Sequence, residues 1–158
     1  MNIFDEYTQQ LLNALNSNKV KYLVVGGYAV NYYGYIRTTG DIDLWLEPSK
    51  GNQLNIATAL KEINIEDNAI QEFLSLDFTQ PVSFSDGEEP NRMDFMNFIT
   101  GIKFTEAWEK RIEVVIDGIN LFFIHFDHLI LSKINTNRLQ DKLDVEELQK
   151  IKKSEKKK

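Results

Sequence analysis

The sequence predicts a mixed α/β domain, a central sheet of parallel and antiparallel strands with helices packed mainly on one side. Three observations predict it. Val24-Val25-Gly26-Gly27-Tyr28-Ala29-Val30 reads as an apolar strand that turns through two glycines into a helix. Gly40 to Leu46, a helix through Ile63 and the run Arg92 to Ile99 then follow in the strand, helix, strand order of a mixed sheet covered by helices. Finally, Glu113 to Ile116 and Ile119 to Ile124, joined by Asp117-Gly118, have the pattern of a hairpin on a type I′ turn. At 158 residues and 42% hydrophobic, the chain is the size of one domain with a substantial core.

Taken in order, Ile3, Phe4, Tyr7, Leu11, Leu12 and Leu15 are spaced as the buried face of a helix that stops at Asn16-Ser17-Asn18. Lys21 to Val25 is the first strand, and the helix after Gly27 carries Ala29, Val30 and Tyr33 to Gly34, a residue suited to a left-handed cap. Arg37, Thr38 and Thr39 fall in a loop. Ser49 is a good N-cap for the helix through Ile63, whose buried side is Ile56, Leu60 and Ile63. Glu66 to Leu76 reads as a further short helix, Val82 to Phe84 as an edge strand, and Asp86 to Pro90 as an acidic loop whose Glu88 and Glu89 are solvated. Phe104, Ala107 and Trp108 mark a helical turn or two over 104–110. After the hairpin, Leu129 to Ile134 and Arg138 to Leu148 read as two helices joined by Asn135-Thr136-Asn137. The domain is expected to span 1–151, with the lysine-rich 152–158 a disordered tail in which holding RNA is a secondary role.

Two segments carry chemistry. A Gly-Gly turn opening a helix leaves backbone N–H groups free for an anion such as a phosphate, although such a turn is often no more than a turn. In Asp41-Ile42-Asp43 the carboxylates sit at i and i+2, hence on one face of a strand, where they repel unless a cation lies between them. Ordinary alternation in an amphipathic strand gives the same pattern. The combination gains weight from Asp94, a charge between Met93 and Phe95 in a strand-like run: if the two strands are neighbours, three carboxylates converge. Arg37 reaches a phosphate or a carboxylate, or is simply solvated or paired structurally. His125 and His128 are the only histidines and there is no cysteine, so a zinc site or histidine catalysis lacks partners.

Gly26-Gly27, Arg37-x-Thr39-x-Asp41-x-Asp43, the strand Asp94 and the Lys-containing helical region after the hairpin resemble the DNA-polymerase-beta-type nucleotidyltransferase superfamily. The resemblance is nearest to the small bacterial enzymes that modify lincosamide and aminoglycoside antibiotics and to the nucleotidyltransferase toxins of abortive-infection systems. It covers about residues 20–150. Many members have Gly-Ser where this chain has Gly26-Gly27, a departure that removes a hydroxyl and shifts phosphate contact onto the backbone. The resemblance implies a nucleotidyltransferase fold and transfer of an NMP group from a nucleoside triphosphate to a hydroxyl acceptor, with pyrophosphate released. It further implies that Asp41, Asp43 and Asp94 are catalytic and hold two Mg²⁺ ions. Gly26, Gly27, Arg37, Thr39 and Lys133 would bind the nucleotide, while Asp141 and Asp144, beside Arg138 and Lys142, are read as structural.

Composition sets outer limits. The net charge of -6 argues against a broad basic surface for nucleic acid, though a local patch could still serve a tRNA acceptor. There is no signal-peptide pattern and no apolar run long enough to span a bilayer, so a cytoplasmic protein with no membrane partner is expected. Small molecules, RNA and protein stay open as acceptors, as do a homodimer and an antitoxin partner in a toxin-antitoxin pair. The alternatives are a non-catalytic nucleotide- or partner-binding module of the same fold and a metal-dependent phosphodiesterase. The three carboxylates disfavour the first; the Gly-Gly turn and the missing histidine cluster disfavour the second.

Overall fold

The computed structural model describes residues 3–89, 91–134 and 136–156. The chain runs α1 (Glu6–Ser17), β1 (Tyr22–Val25), α2 (Gly26–Tyr32), β2 (Ile42–Leu46), α3 (Lys50–Glu62), α4 (Asp67–Leu74), β3 (Ser83–Asp86), β4 (Met93–Met96), α5 (Phe104–Glu109), β5 (Ile112–Ile116), β6 (Ile119–Phe123), α6 (Phe126–Ile134) and α7 (Leu139–Lys156). One six-stranded sheet has the order β3-β4-β2-β1-β6-β5. It is mixed, as expected: β2 pairs parallel with β4 and β1 parallel with β6, while β1–β2, β3–β4 and β5–β6 are antiparallel.

Local chemistry explains the boundaries. Asp5 caps α1 by accepting from the Thr8 N–H at 2.9 Å, and Ser49 caps α3 by accepting from the Asn52 N–H at 3.1 Å. Asn18 closes α1 with a side-chain amide donated to the Ala14 carbonyl at 2.8 Å. Asp117 and Gly118 both have positive φ, +54° and +75°, as a type I′ hairpin turn demands. The core is built from both sides of the central strands, with Trp45, Tyr22, Phe95 and Phe123 fully buried beside Leu11, Leu12 and Leu15 of α1. Each such side chain contributes roughly 1.5–3 kcal/mol by leaving water.

Several bounds differ from the expected ones. Asp41 sits in the bend before β2 rather than in the strand. α2 starts at Gly26 and is capped at Tyr33, leaving Gly34 just beyond with φ +113°. β3 takes in Asp86, so the acidic loop begins at Gly87; Pro90 in that loop and Asn135 in the helix connection lie outside the described residues. β4 stops at Met96. The lysine-rich segment from Lys152, expected as a tail, continues α7 as helix to Lys156, and 157–158 lie outside the described residues. Lys and Glu are good helix formers, and the Lys150 pairs with Glu146 at 3.5 Å and Glu147 at 3.4 Å support the turn before that segment. Among the described residues no helix is long and apolar enough to cross a membrane.

Candidate active site

Three neighbouring strands end at one place. Val25 of β1 stands opposite Asp43 of β2, and Asp43 stands opposite Asp94 of β4. The Gly26 turn, Asp43 and Asp94 are therefore lined up across the sheet, with Asp41 beside them at the entry to β2. Gly26 has φ +64°, and a Cβ there would collide with Asp43 Oδ2. A Cβ on Gly27 would collide with Thr39 Oγ1. Both glycines thus let the backbone lie directly against side chains of the site.

A cavity of about 500 Å³ opens over this junction, and Gly26, Gly27, Arg37, Thr39, Asp41, Asp43, Asp94 and Lys133 all line it. The eight residues that the resemblance assigns to catalysis and nucleotide binding are brought together there. Arg92, Arg138, Gln140 and Asp141 line it too.

The carboxylates are not equivalent. Burial, then the charges of Asp94 and Asp41, push the Asp43 carboxyl up from the ordinary 3.8 to about 6, against a smaller opposing pull from Lys133 and Arg138. Asp94 accepts from Ser85 Oγ at 2.5 Å and from Arg92 Nε at 3.0 Å. Asp41 Oδ2 accepts from Arg92 Nη2 at 2.8 Å, while its Oδ1 is buried and, among the described residues, has no hydrogen-bond partner. Arg92 is the residue that sequence reasoning missed. Its guanidinium bridges Asp41 and Asp94, and Glu89 lies 3.6 Å from Nη2. The available signal was its place two residues before Asp94, which in an extended run turns both side chains to one side at the entry to β4.

Whether a divalent cation fits can be judged from these donors. Among the described residues no group of three or more His, Cys, Asp or Glu side chains is already drawn together to hold a metal. The Arg92 guanidinium fills the place between Asp41 and Asp94 that a cation would take. The unpartnered Asp41 oxygen, the raised Asp43 carboxyl and an all-oxygen donor set suit a hard ion such as Mg²⁺.

The opposite wall is cationic and tightly held. Lys133 is buried and donates to Asp141 Oδ1 at 3.0 Å, with Asp144 Oδ2 at 2.9 Å. Arg37 forms a two-pronged pair with the fully buried Asp144, Nε to Oδ1 at 2.9 Å and Nη2 to Oδ2 at 3.1 Å. Burial would raise the Asp144 carboxyl, but hydrogen bonds from Lys133, Arg37 and Gln140 overcome it and hold the group below the ordinary carboxylate range. The structural role expected of Asp141 and Asp144 is thus filled by Lys133 and Arg37, with Arg138 Nε 4.0 Å from Asp141 Oδ2, rather than by Lys142. Thr39 Oγ1 donates to the Asp41 carbonyl at 3.3 Å and so ties the loop to the carboxylates. The histidines stand apart from the cavity: His125 Nδ1 accepts from the Asp127 N–H at 3.1 Å, and burial lowers His128.

The model of a family described as "Nucleotidyltransferase of unknown function (DUF6036)" matches residues 1–155. No curated protein sequence matches the chain. In structure the chain is similar to the lincosamide antibiotic adenylyltransferase LnuA in its lincomycin-bound crystal structure, with a TM-score of 0.56 at 15% identity over 96% of this chain and 99% of that one. A solution structure of the antibiotic-resistance factor ANT(2'')-Ia is similar at a TM-score of 0.48 and 15% identity, over 94% of this chain and 82% of that one. At such identities the likeness to LnuA is one of fold.

Proposed function

The chain belongs to the family of nucleotidyltransferases of unknown function, and from that membership we propose that its cavity transfers an NMP group from a nucleoside triphosphate to an acceptor hydroxyl in a Mg²⁺-dependent reaction. One observation carries the reading: the Gly26 turn, Asp43 and Asp94 lie side by side at the ends of three adjacent strands, facing Arg37 and Lys133 across one cavity.

Asp41, Asp43 and Asp94 would hold Mg²⁺, and the bound ion supplies charge neutralisation of the phosphates and acidification of the acceptor hydroxyl. The chain's own residues do the rest. The glycine turn leaves backbone N–H groups open to the triphosphate, and Arg37 and Lys133, held in place by Asp144 and Asp141, face its negative charge. The acceptor oxygen forms a bond to the α-phosphorus as the bond from that phosphorus to its bridging oxygen breaks. Pyrophosphate leaves, and Asp94 takes the hydroxyl proton. Arg92 has to leave Asp41 and Asp94 for the carboxylates to be free. As a positive group already beside the site, it then has phosphate as its natural next partner.

A non-catalytic module is the second reading, and it is favoured by the same guanidinium, which already neutralises two of the three carboxylates. Calorimetry of the four ribonucleoside triphosphates with Mg²⁺ separates the two. The transferase reading expects Mg²⁺-dependent binding by the wild type that is lost in Asp41→Ala/Asp43→Ala. Binding that ignores Mg²⁺ and survives in the variant would establish the module instead.

A further inference from the structure

A second opening, about 550 Å³ in volume, lies in the groove between α6 and α7. Phe126 and Ile130 form its floor and Lys152, Lys153 and Lys156 its rim, with Asp127 the one acid on its lining. Lys152 Nζ stands 5.1 Å from the Phe126 ring centroid. Among the described residues, the three lysines enter no ion pair within 4.0 Å; the acids Glu146 and Glu147 are instead turned to Lys150.

The lysines continue a longer line. Gln149, Lys152, Lys153 and Lys156 are spaced i, i+3, i+4, i+7, which places them on one face of α7. Seven residues before Gln149 the same face carries Lys142, and four residues before that, Arg138, whose carbonyl accepts from the Lys142 N–H at 3.3 Å and so starts the helical pattern. Arg138, Lys142 and the three lysines are all exposed. Arg138 also lines the carboxylate cavity. From Arg138 to Lys156 the line measures roughly 27 Å at 1.5 Å per helical residue.

A row of exposed cations that starts at the cavity, where Arg138 Nε lies 4.0 Å from Asp141 Oδ2, follows a helix and passes a half-buried aromatic side chain has the two features that hold a single strand of nucleic acid: charge spaced along a backbone and a ring against which a base can pack. We propose that α7 and α6 form a track for single-stranded nucleic acid whose terminal hydroxyl enters the cavity as the acceptor. The inference rests on the transferase reading and specifies its acceptor. In a protein of net charge -6 such a row acts only locally, so the interaction is expected to be strongly salt-sensitive.

The test uses the full chain and a fluorescein-labelled 12-nucleotide single strand, as RNA and as DNA, with anisotropy read across a range of KCl concentrations. The wild type is expected to bind at low salt. Lys152→Glu/Lys153→Glu/Lys156→Glu should bind at least tenfold more weakly, with a log-log salt slope shallower by about 2, since each phosphate contact on a single strand contributes about 0.7. Lys150→Glu, off the line, should change binding less than twofold. A preference for RNA or for DNA assigns the sugar, and equal binding assigns the phosphate chain alone. The proposal is overturned if the wild type binds neither strand while still binding Mg²⁺-nucleotide, or if Lys150→Glu weakens binding as much as Lys153→Glu alone. Loss of nucleotide binding in the wild type would instead sink the transferase reading, so the two failures are distinguishable. Calorimetry with Mg²⁺-nucleotide on the triple variant, expected to be unchanged, shows that its cavity is intact.

Discussion

Replacing Asp43 with Asn should make the metal-free protein more stable at neutral pH while abolishing nucleotidyl transfer. The folded protein raises the Asp43 carboxyl from 3.8 to about 6, chiefly by burial and then by repulsion from Asp94 and Asp41. Between those values the folded chain binds more proton than the unfolded one. Stability is therefore fully present below 3.8, falls as pH rises through the window to about 6, and stays reduced above it. The full shift is worth about 3 kcal/mol at 1.36 kcal/mol per unit; because the side chain is only partly buried and solvent screens it, about half of that is expected. Urea unfolding with EDTA present, at pH 4 and pH 8, reads it directly. Asp43→Asn should exceed the wild type by roughly 1.5 kcal/mol at pH 8 and match it at pH 4. Mg²⁺ should close the gap at pH 8 by stabilising the wild type alone. The reasoning is refuted if the variant is the less stable protein at pH 8, or if the same difference appears at both pH values.

Arg92→Ala removes the guanidinium that competes for Asp41 and Asp94, so Mn²⁺ titration followed by electron paramagnetic resonance should show tighter metal binding, while metal-free stability falls by roughly 1 kcal/mol through the unrelieved repulsion. Asp144→Ala leaves Arg37 and the buried Lys133 short of a partner and should cost roughly 3 kcal/mol, a fall in Tm of about 6–12 °C by calorimetry for a chain of this length. Gly118→Ala and Gly26→Ala separate conformation from collision: both glycines have positive φ, but a Cβ on Gly118 meets open space whereas one on Gly26 meets Asp43. The first should cost about 1 kcal/mol and spare nucleotide binding, and the second should cost more and abolish it.

The carboxylates were legible because strand geometry is local. A spacing of two puts Asp41 and Asp43 together, and an isolated charge between Met93 and Phe95 has to point at something polar. Whether β2 and β4 are neighbours is a condition that the sequence leaves open, and the pairing of Asp43 with Asp94 meets it. What the sequence hid were partners distant in the chain. Arg92 pairs with Asp41 across 51 positions and Arg37 with Asp144 across 107, and no local pattern ties such residues. The sequence leaves Arg37 open between a phosphate, a carboxylate of the site, solvent and a structural pair, and in the fold it pairs with the buried Asp144 of α7. Ser85 donates to Asp94 from the edge strand, a contact that depends on the β3–β4 register. Weighed as composition, the lysine-rich segment reads as a charged run. Its i, i+3, i+4 spacing, which makes sense only once the backbone is helical, carries the information.

The paired acids of α7 also set an order of events. All six strands, with the three carboxylates and the glycine turn, are specified before residue 124, whereas the groups that anchor Arg37 and Lys133 arrive only at Asp141 and Asp144. A nascent chain emerging from the ribosome would form the acidic half of the cavity first and hold Lys133 without its counter-charge until α7 follows. Stalled chains cut before and after α7, probed by brief proteolysis, would show whether protection of the segment around Lys133 waits for that helix; early protection would break the link. α7 then acts as the keystone that joins the cationic wall of the cavity to a folded sheet.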